Sequence, residues 1–201
     1  DDQCGAGPVW QDTGVQVLRG SDSAGWDAGG ICGVRGRQLT ASEVMPMRPN
    51  SSVLFFDKQF QQQVRNSEYA LNPFELAAIP HLSGRVLDYG CGMGNLAFAA
   101  AEQGCSVLAL DASPTAIDHI QRRAAAESLP VQGAIADLRD FDLDEEFDSV
   151  VSIGLLMFFD CTTAFKTLSN LQAHVREGGV VAVNVLVEGT KGSVYLGPGF
   201  E

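Results

Sequence analysis

A glycine-rich loop constrains the possible fold of this chain more than any other feature. The run Arg85-Val86-Leu87-Asp88 predicts a buried strand, and the loop Tyr89-Gly90-Cys91-Gly92-Met93-Gly94-Asn95 follows it directly. Residues 96–103 then predict an alanine-rich helix that ends at Gly104. A strand that enters a helix through glycines is typical of open α/β sheets, which bind ligands at the carboxyl ends of their strands.

The same alternation of strand and helix continues along the chain. Ser113 and Pro114 predict the start of a second helix, and Asp160 predicts the start of a third, which runs to about Val175 and ends at Gly178-Gly179. Apolar runs predict four further strands, at residues 106–110, 131–135, 147–153 and 180–187. The pattern indicates a Rossmann-like α/β fold, a doubly wound and mostly parallel sheet.

Two acidic residues follow neighbouring predicted strands. Asp111 comes 17 residues after Gly94, where a carboxylate can accept hydrogen bonds from both hydroxyls of a ribose. Asp137 follows the next strand, where it can accept a hydrogen bond from an adenine amino group. Asn95 stands where the dinucleotide fingerprint has its third glycine, which disfavours a dehydrogenase. A simpler interpretation leaves the glycines to a tight turn and Asp111 to helix capping.

With these features together, residues 85–187 resemble the class I S-adenosylmethionine-dependent methyltransferases. The resemblance implies S-adenosylmethionine as the cofactor, with the glycine loop beside its methionine part, Asp111 on the ribose and Asp137 on the adenine. It also implies that Asp88 helps to position the methionine amino group. The cofactor-binding residues implied in this way are Asp88, Gly90, Cys91, Gly92, Asp111, Ala112, Asp137, Leu138 and Ile153.

A narrower resemblance, to the TehB-like tellurite-resistance group, rests on Phe56-Asp57-Lys58-Gln59-Phe60 and on residues 150–159. It implies methyl transfer to a small nucleophile of the thiol or chalcogen oxyanion type. The reaction would be an in-line displacement, in which a substrate lone pair attacks the methyl carbon and S-adenosylhomocysteine leaves. Because the cofactor carries the activation, no general base is assigned and the catalytic residues stay open.

The residues that would suggest other catalytic chemistry have weaker support. No histidine lies near Cys91 in sequence, so Cys91 is expected to line the pocket rather than to act as a nucleophile. The three histidines fall in or beside predicted helices and are expected at the surface or its boundary, at His81, His119 and His174. Tyr69 and Asn72 precede the first strand, where enzymes of this family often close over the cofactor.

The composition of the chain limits which binding partners and which cellular compartment we expect. A net charge of −12 without a basic patch disfavours nucleic acid, and no apolar run approaches the ~20 residues of a membrane helix. The five cysteines are widely spaced and form no Cys-x-x-Cys, which argues against a disulfide framework and a metal site. Without a recognisable signal peptide, the chain is expected to be a cytoplasmic protein with a small-molecule methyl acceptor.

The two ends of the chain depart from the family pattern. Residues 1–52 are rich in Gly, Ser and Pro and are expected to form an irregular segment, in which residues 15–18 could form a strand, ahead of a methyltransferase domain at residues 53–201. The family usually continues after its fifth strand with a helix and two more strands, whereas residues 188–201 here are mostly Gly-rich. The domain is therefore expected to lack its C-terminal part.

An incomplete sheet would leave the fifth strand as an exposed apolar edge, which favours aggregation. We expect a homodimer or another partner to cover that edge, rather than residues 1–52. These departures keep a second hypothesis open, a non-catalytic S-adenosylmethionine-binding module or an incomplete subunit of a complex.

Overall fold

The computed structural model describes residues 9–10, 15–19 and 51–185 of the 201-residue chain. In this part of the chain a seven-stranded sheet has the strand order β1-β2-β7-β6-β3-β4-β5. The strands are β1 (Val9–Trp10), β2 (Val15–Arg19), β3 (Arg85–Tyr89), β4 (Ser106–Asp111), β5 (Val131–Ile135), β6 (Phe147–Ser152) and β7 (Val175–Asn184). The helices are α1 (Ser51–Asn66), α2 (Pro73–Ala78), α3 (Asn95–Glu102), α4 (Pro114–Glu127) and α5 (Cys161–Ala173), with short 3₁₀ helices at Ile79–His81 and Leu156–Phe158.

Strands β3 to β7 form the parallel part of the sheet and confirm the predicted Rossmann-like fold. All five predicted strands are present. Because these strands are parallel, their carboxyl ends lie at one edge of the sheet. The loops after β3, β4, β5 and β6 therefore all lie at that edge. That edge is where the sequence predicts the ligand site.

The strands are buried because both faces of the sheet pack against other elements. Val86 joins a cluster with the helices α3 and α4, where Phe98 and Ile120 are almost fully buried. The next residue, Leu87, points to the opposite face and joins a cluster with Phe147. Successive side chains of a strand point to opposite faces of the sheet. A run of consecutive apolar residues therefore indicates that both faces are covered by apolar side chains.

Local capping fixes where two of the helices begin, as the sequence predicts. The hydroxyl of Ser113 accepts a hydrogen bond from the Ala116 amide at 3.2 Å, and Pro114 is the first residue of α4. The carboxylate of Asp160 accepts a hydrogen bond from the Thr163 amide at 3.1 Å and caps α5. None of the helices in the described ranges is long and apolar enough to cross a membrane.

The predicted end of the last helix at Gly178-Gly179 is wrong. The helix α5 ends at Ala173, and β7 begins at Val175 and runs through both glycines. The pairing of β6 with β7 shifts register between Phe147 and Ser149, and a Cβ on Gly179 would lie 2.7 Å from the Asp148 carbonyl oxygen. Glycine is needed here for a bulge in a strand rather than for a helix terminus.

The edge of the sheet beyond β7 also differs from the expectation. Strand β2 pairs antiparallel with β7 over five residues, from Val15 opposite Asn184 to Arg19 opposite Val180. Strand β1 pairs antiparallel with β2 in turn. The expectation that β7 is an exposed edge needing a partner chain is therefore wrong, because strands from the amino-terminal segment cover it. The possible strand at residues 15–18 is confirmed, and the division of the chain at residue 52 stays a prediction.

We expect Val17→Pro to destabilise the protein, because proline cannot donate a backbone hydrogen bond and fits poorly inside a paired strand. The free energy of unfolding should fall by on the order of 2 kcal/mol in urea unfolding, with more aggregation in gel filtration. Val17→Thr keeps the amide and the β-branched side chain, so it is the matched control. Equal stability of the two variants would contradict the place of β2 inside the sheet, between β1 and β7.

Candidate functional site

A cleft of about 870 Å³ opens along the carboxyl ends of the parallel strands. This volume lies within the range of small-molecule and cofactor sites. The loops after β3, β4, β5 and β6 form its floor, and α1 and the segment before β3 form its other side. Eight of the nine predicted cofactor-binding residues line this cleft: Gly90, Cys91, Gly92, Asp111, Ala112, Asp137, Leu138 and Ile153.

The glycine loop is held in place by backbone hydrogen bonds to β4. The amides of Gly90 and Cys91 donate to the Leu110 carbonyl at 2.8 and 3.0 Å. Gly94 precedes α3 with a φ of 74°, and a Cβ there would lie 2.7 Å from a side-chain carbon of Ile120. A larger residue at position 94 would therefore be strained in the backbone and would also collide with α4.

Asp111 connects the glycine loop to the start of α4. One carboxylate oxygen accepts a hydrogen bond from the Gly92 amide at 2.9 Å, and the other accepts one from the Ser113 amide at 2.8 Å. Burial raises the pKa of Asp111, whereas these backbone donors act in the opposite direction. A carboxylate has about four lone-pair sites, so it can still accept a hydrogen bond from a ligand in the cleft.

Asp88, the ninth predicted residue, is buried behind the loop and does not line the cleft. Its Oδ2 atom has no hydrogen-bond partner in the described part of the chain. Burial, and then the nearby carboxylates of Glu75 and Asp111, raise the pKa of Asp88 to about 8. An orphaned buried acid beside other acids fits a ligand that carries a positive group, such as the ammonium of a methionine moiety.

Asp137 lies at the far side of the cleft, after β5. Its two carboxylate oxygens accept hydrogen bonds from the Arg139 guanidinium at 2.9 and 2.6 Å, and the Arg139 amide donates at 3.1 Å. The guanidinium holds the pKa of Asp137 below its ordinary value. Asp137 thus stays ionised, and it remains a hydrogen-bond acceptor for a ligand amino group.

Helix α1 covers the cleft although it has no buried residue of its own. Its main polar contact is Asp57, which accepts hydrogen bonds from the Ser113 hydroxyl at 2.5 Å and from the Thr115 amide at 3.2 Å. Partial burial raises the pKa of Asp57, but these hydrogen bonds prevail and hold it below its ordinary value. The carboxylate also lies at the amino-terminal end of α4, where the helix dipole favours negative charge.

Phenyl rings close the side of the cleft next to β6. Phe56 packs edge to face against Phe158 with ring centroids 4.9 Å apart, and Phe56 and Phe60 are stacked at 6.2 Å. A Cβ on Gly92 would lie 3.4 Å from the Phe60 ring, so Phe60 reaches the glycine loop. Contacts between aromatic rings hold α1 against the segment that follows β6.

Some residues of the site were not assigned from sequence. Phe56, Asp57 and Phe60 entered only as part of a family pattern, because nothing in the local sequence shows which face of a lone helix meets a cleft. Glu75, which also lines the cleft, gave no signal. Asn72 lines the cleft as suggested, whereas Tyr69 stacks on His119 with centroids 4.8 Å apart.

Cys91 lines the cleft without the surroundings of a nucleophile. Burial, and then the charges of Asp88 and Asp111, raise its pKa well above the ordinary value. A thiol in such a place stays protonated and is a poor nucleophile, in agreement with the lining role predicted for it.

Comparison with known proteins adds sequence evidence at the same loop. Residues 86–179 match the model of a family described as a methyltransferase domain. Over 95 residues the chain is 32% identical to "Hemagglutinin 1" of Eikenella corrodens, covering 47% of this chain and 32% of that protein. Over 102 residues it is 35% identical to the "Cypemycin N-terminal methyltransferase" of a Streptomyces species, covering 49% of this chain and 40% of that one.

TehB of Haemophilus influenzae is similar in both sequence and structure. A probable S-adenosyl-L-methionine-dependent methyltransferase TehB from strain 10810 is 27% identical over 95 residues, covering 47% of this chain and 33% of that protein. The crystal structure of TehB from this species superposes with a TM-score of 0.54 at 22% identity, covering 64% of this chain and 44% of that one. This structural likeness shows the fold. The chain spans between about a third and two fifths of the length of these curated relatives.

We expect Asp57→Ala to loosen α1. Loss of the carboxylate removes its hydrogen bonds with Ser113 and Thr115. This should lower the free energy of unfolding by about 1 kcal/mol and speed hydrogen exchange throughout α1. Because the pKa of folded Asp57 is lowered, its contribution is present above pH ~4 and lost as the pH falls. Asp118→Ala, at an exposed ion pair of α4, is the control and should change stability by less than ~0.5 kcal/mol. Unchanged exchange in α1 would refute its attachment by Asp57.

We expect Asp88→Asn to stabilise the ligand-free protein at pH 8 more than at pH 4. The folded pKa of Asp88 is about 8 and its ordinary value is 3.8, so the free energy of unfolding falls as the pH rises between these values. An amide cannot ionise, so the variant should lack this fall, and its free energy of unfolding relative to wild type should be higher at pH 8 than at pH 4. Urea unfolding at both pH values measures the difference. Parallel pH profiles of variant and wild type would be inconsistent with a protonated Asp88.

Proposed function

We propose that this chain, whose residues 86–179 form a class I S-adenosylmethionine-dependent methyltransferase domain of the TehB-like type, transfers the methyl group of that cofactor to a small-molecule nucleophile. The observation that carries the proposal is the lining of the cleft. Three neighbouring strands, β3, β4 and β5, bring the glycine loop, Asp111 and Asp137 to one continuous surface. Such convergence is not needed for a tight turn or for helix capping alone.

The order of the strands supports a direction for the cofactor. Asp137 follows β5, Asp111 ends β4 and the glycine loop follows β3, and these strands are successive neighbours in the sheet. We infer that adenine lies at Asp137, ribose at Asp111 and the methionine part at Gly90 and Gly92. The reactive end then lies towards β6, the next strand in the sheet.

The chain's own contribution to the reaction is alignment and exclusion of water. When bound, S-adenosylmethionine supplies an electrophilic methyl group on a sulfonium sulfur. Asp111 and Asp137 hold the nucleoside. Asp88, which lies behind the glycine loop, attracts the positive amino group from there, and that charge stabilises the ionised form of Asp88. Helix α1 and the phenyl rings next to β6 keep water from the reacting atoms. Alignment of this kind can lower a barrier by several kcal/mol.

The acceptor that we propose is of the thiol or chalcogen oxyanion type. Such a nucleophile needs little help from a protein base, and the described residues that line the cleft include no histidine or lysine. The name of one relative, "Cypemycin N-terminal methyltransferase", refers to an N-terminal acceptor, which concerns that protein. We further propose a cytoplasmic location, which the widely spaced cysteines of the sequence support.

Calorimetric titration with S-adenosylhomocysteine and, separately, with NAD tests the proposed cofactor. We expect the first ligand to bind and the second not to. Asp111→Ala should weaken binding at least tenfold, because charge-assisted hydrogen bonds to the ribose contribute about 1.5–3 kcal/mol. Asp118→Ala, an acid of α4 outside the cleft, is the matched control and should bind like wild type.

The possible outcomes separate the hypotheses. Because Asp111 also holds backbone amides, Asp111→Asn and the circular dichroism of each variant distinguish lost binding from lost folding. No binding by folded wild-type protein would defeat the proposal. Binding without release of S-adenosylhomocysteine from S-adenosylmethionine, over a range of acceptors, would favour a non-catalytic module.

A further inference from the structure

Phenyl rings line much of the cleft next to β6, beside a few polar side chains. Phe56 and Phe60 come from α1, and Phe158 and Phe159 come from the segment after β6. Leu155 closes the floor between them and lies against the glycine loop, since a Cβ on Gly90 would lie 3.0 Å from its side chain. The strand order separates this part from β4 and β5, where the nucleoside is proposed to lie. The remaining ligand, the methyl acceptor, therefore meets phenyl rings.

The charges of the cleft are mostly negative. Four carboxylates line it, those of Glu75, Asp111, Asp137 and Asp160, and Arg139 is the one cation among the described lining residues. The Arg139 guanidinium is bound to Asp137 through two hydrogen bonds. An anionic acceptor would thus meet like charges and phenyl rings, and would lose its hydration without gaining a free cation from the described residues that line the cleft.

We propose that the methyl acceptor is an uncharged thiol with an aromatic or similarly apolar body, which binds between α1 and the segment after β6. Anionic acceptors, including chalcogen oxyanions and thiols that carry a carboxylate, bind poorly. The inference rests on the proposed function and narrows its substrate class. Phe158 is a specificity-determining residue in this account, because its ring contacts Phe56 across the opening between the two elements.

The transfer step balances without a further reactant. A sulfur lone pair of the acceptor forms the new carbon–sulfur bond as the bond from the methyl carbon to the sulfonium sulfur breaks. The electrons of the broken bond stay on that sulfur and give neutral S-adenosylhomocysteine. The thiol proton passes to solvent water, and the products are a neutral thioether and a hydronium ion.

Two product thioethers that differ only in their body test the inference without any need for turnover. Benzyl methyl sulfide carries a phenyl group and (methylthio)acetate carries a carboxylate. Each is titrated into wild-type protein saturated with S-adenosylhomocysteine. We expect benzyl methyl sulfide to bind at least about tenfold more tightly than (methylthio)acetate. Burial of a phenyl group contributes enough binding free energy for a difference of this size.

A variant and its control locate the site. Phe158→Ala should weaken binding of benzyl methyl sulfide about fivefold or more, whereas Phe165→Ala, which removes a largely exposed ring of α5, should not. In wild type, the release of S-adenosylhomocysteine should be faster with benzyl mercaptan than with mercaptoacetate or selenite.

The outcomes distinguish failure of the acceptor inference from failure of the proposed function. Equal or tighter binding of (methylthio)acetate, or faster turnover of selenite, overturns the inference and leaves the proposed function intact. Absence of S-adenosylhomocysteine binding by the folded protein defeats the proposed function and with it the inference. If Phe158→Ala does not fold, the comparison of the two thioethers in wild type still decides.

Discussion

The site depends on the carboxylate of Asp111. Through hydrogen bonds to the amides of Gly92 and Ser113, it joins the glycine loop after β3 to the start of α4. The Ser113 hydroxyl in turn donates to Asp57, so the same short segment also holds α1 over the cleft. A single partly buried acid thus links the floor of the cleft to its cover. Loss of its charge would disturb the cofactor surface and the aromatic side together.

Much of the fold could be predicted because its signals are local. Buried parallel strands appear as short apolar runs, and the caps at Ser113 and Asp160 mark helix starts within a few residues. The glycine loop carries its own signal, since positive backbone angles and close approach of α4 require glycine at position 94. The acids at Asp111 and Asp137 follow from the same logic, because parallel strands bring their carboxyl ends to one edge.

The remaining features depend on contacts between distant parts of the chain. The pairing of β2 with β7 joins residues more than 160 positions apart. A five-residue strand in a Gly-rich segment does not by itself specify which strand it pairs with. The sequence predicts a helix end at Gly178-Gly179 because a strand bulge and a helix terminus use the same residue type. The sequence does not show that Asp57 attaches α1 to α4, because an acid can cap a helix other than the one that carries it.

The proposed function requires one cleft to hold a nucleoside over β4 and β5 and a sulfur centre towards β6. A crystal structure of the protein with S-adenosylhomocysteine tests this most directly. We predict electron density with the ribose hydroxyls at Asp111, the adenine amino group at Asp137 and the thioether sulfur facing Phe158. Density for the ligand at another surface, or a reversed ligand with its adenine among the phenyl rings, would contradict the account.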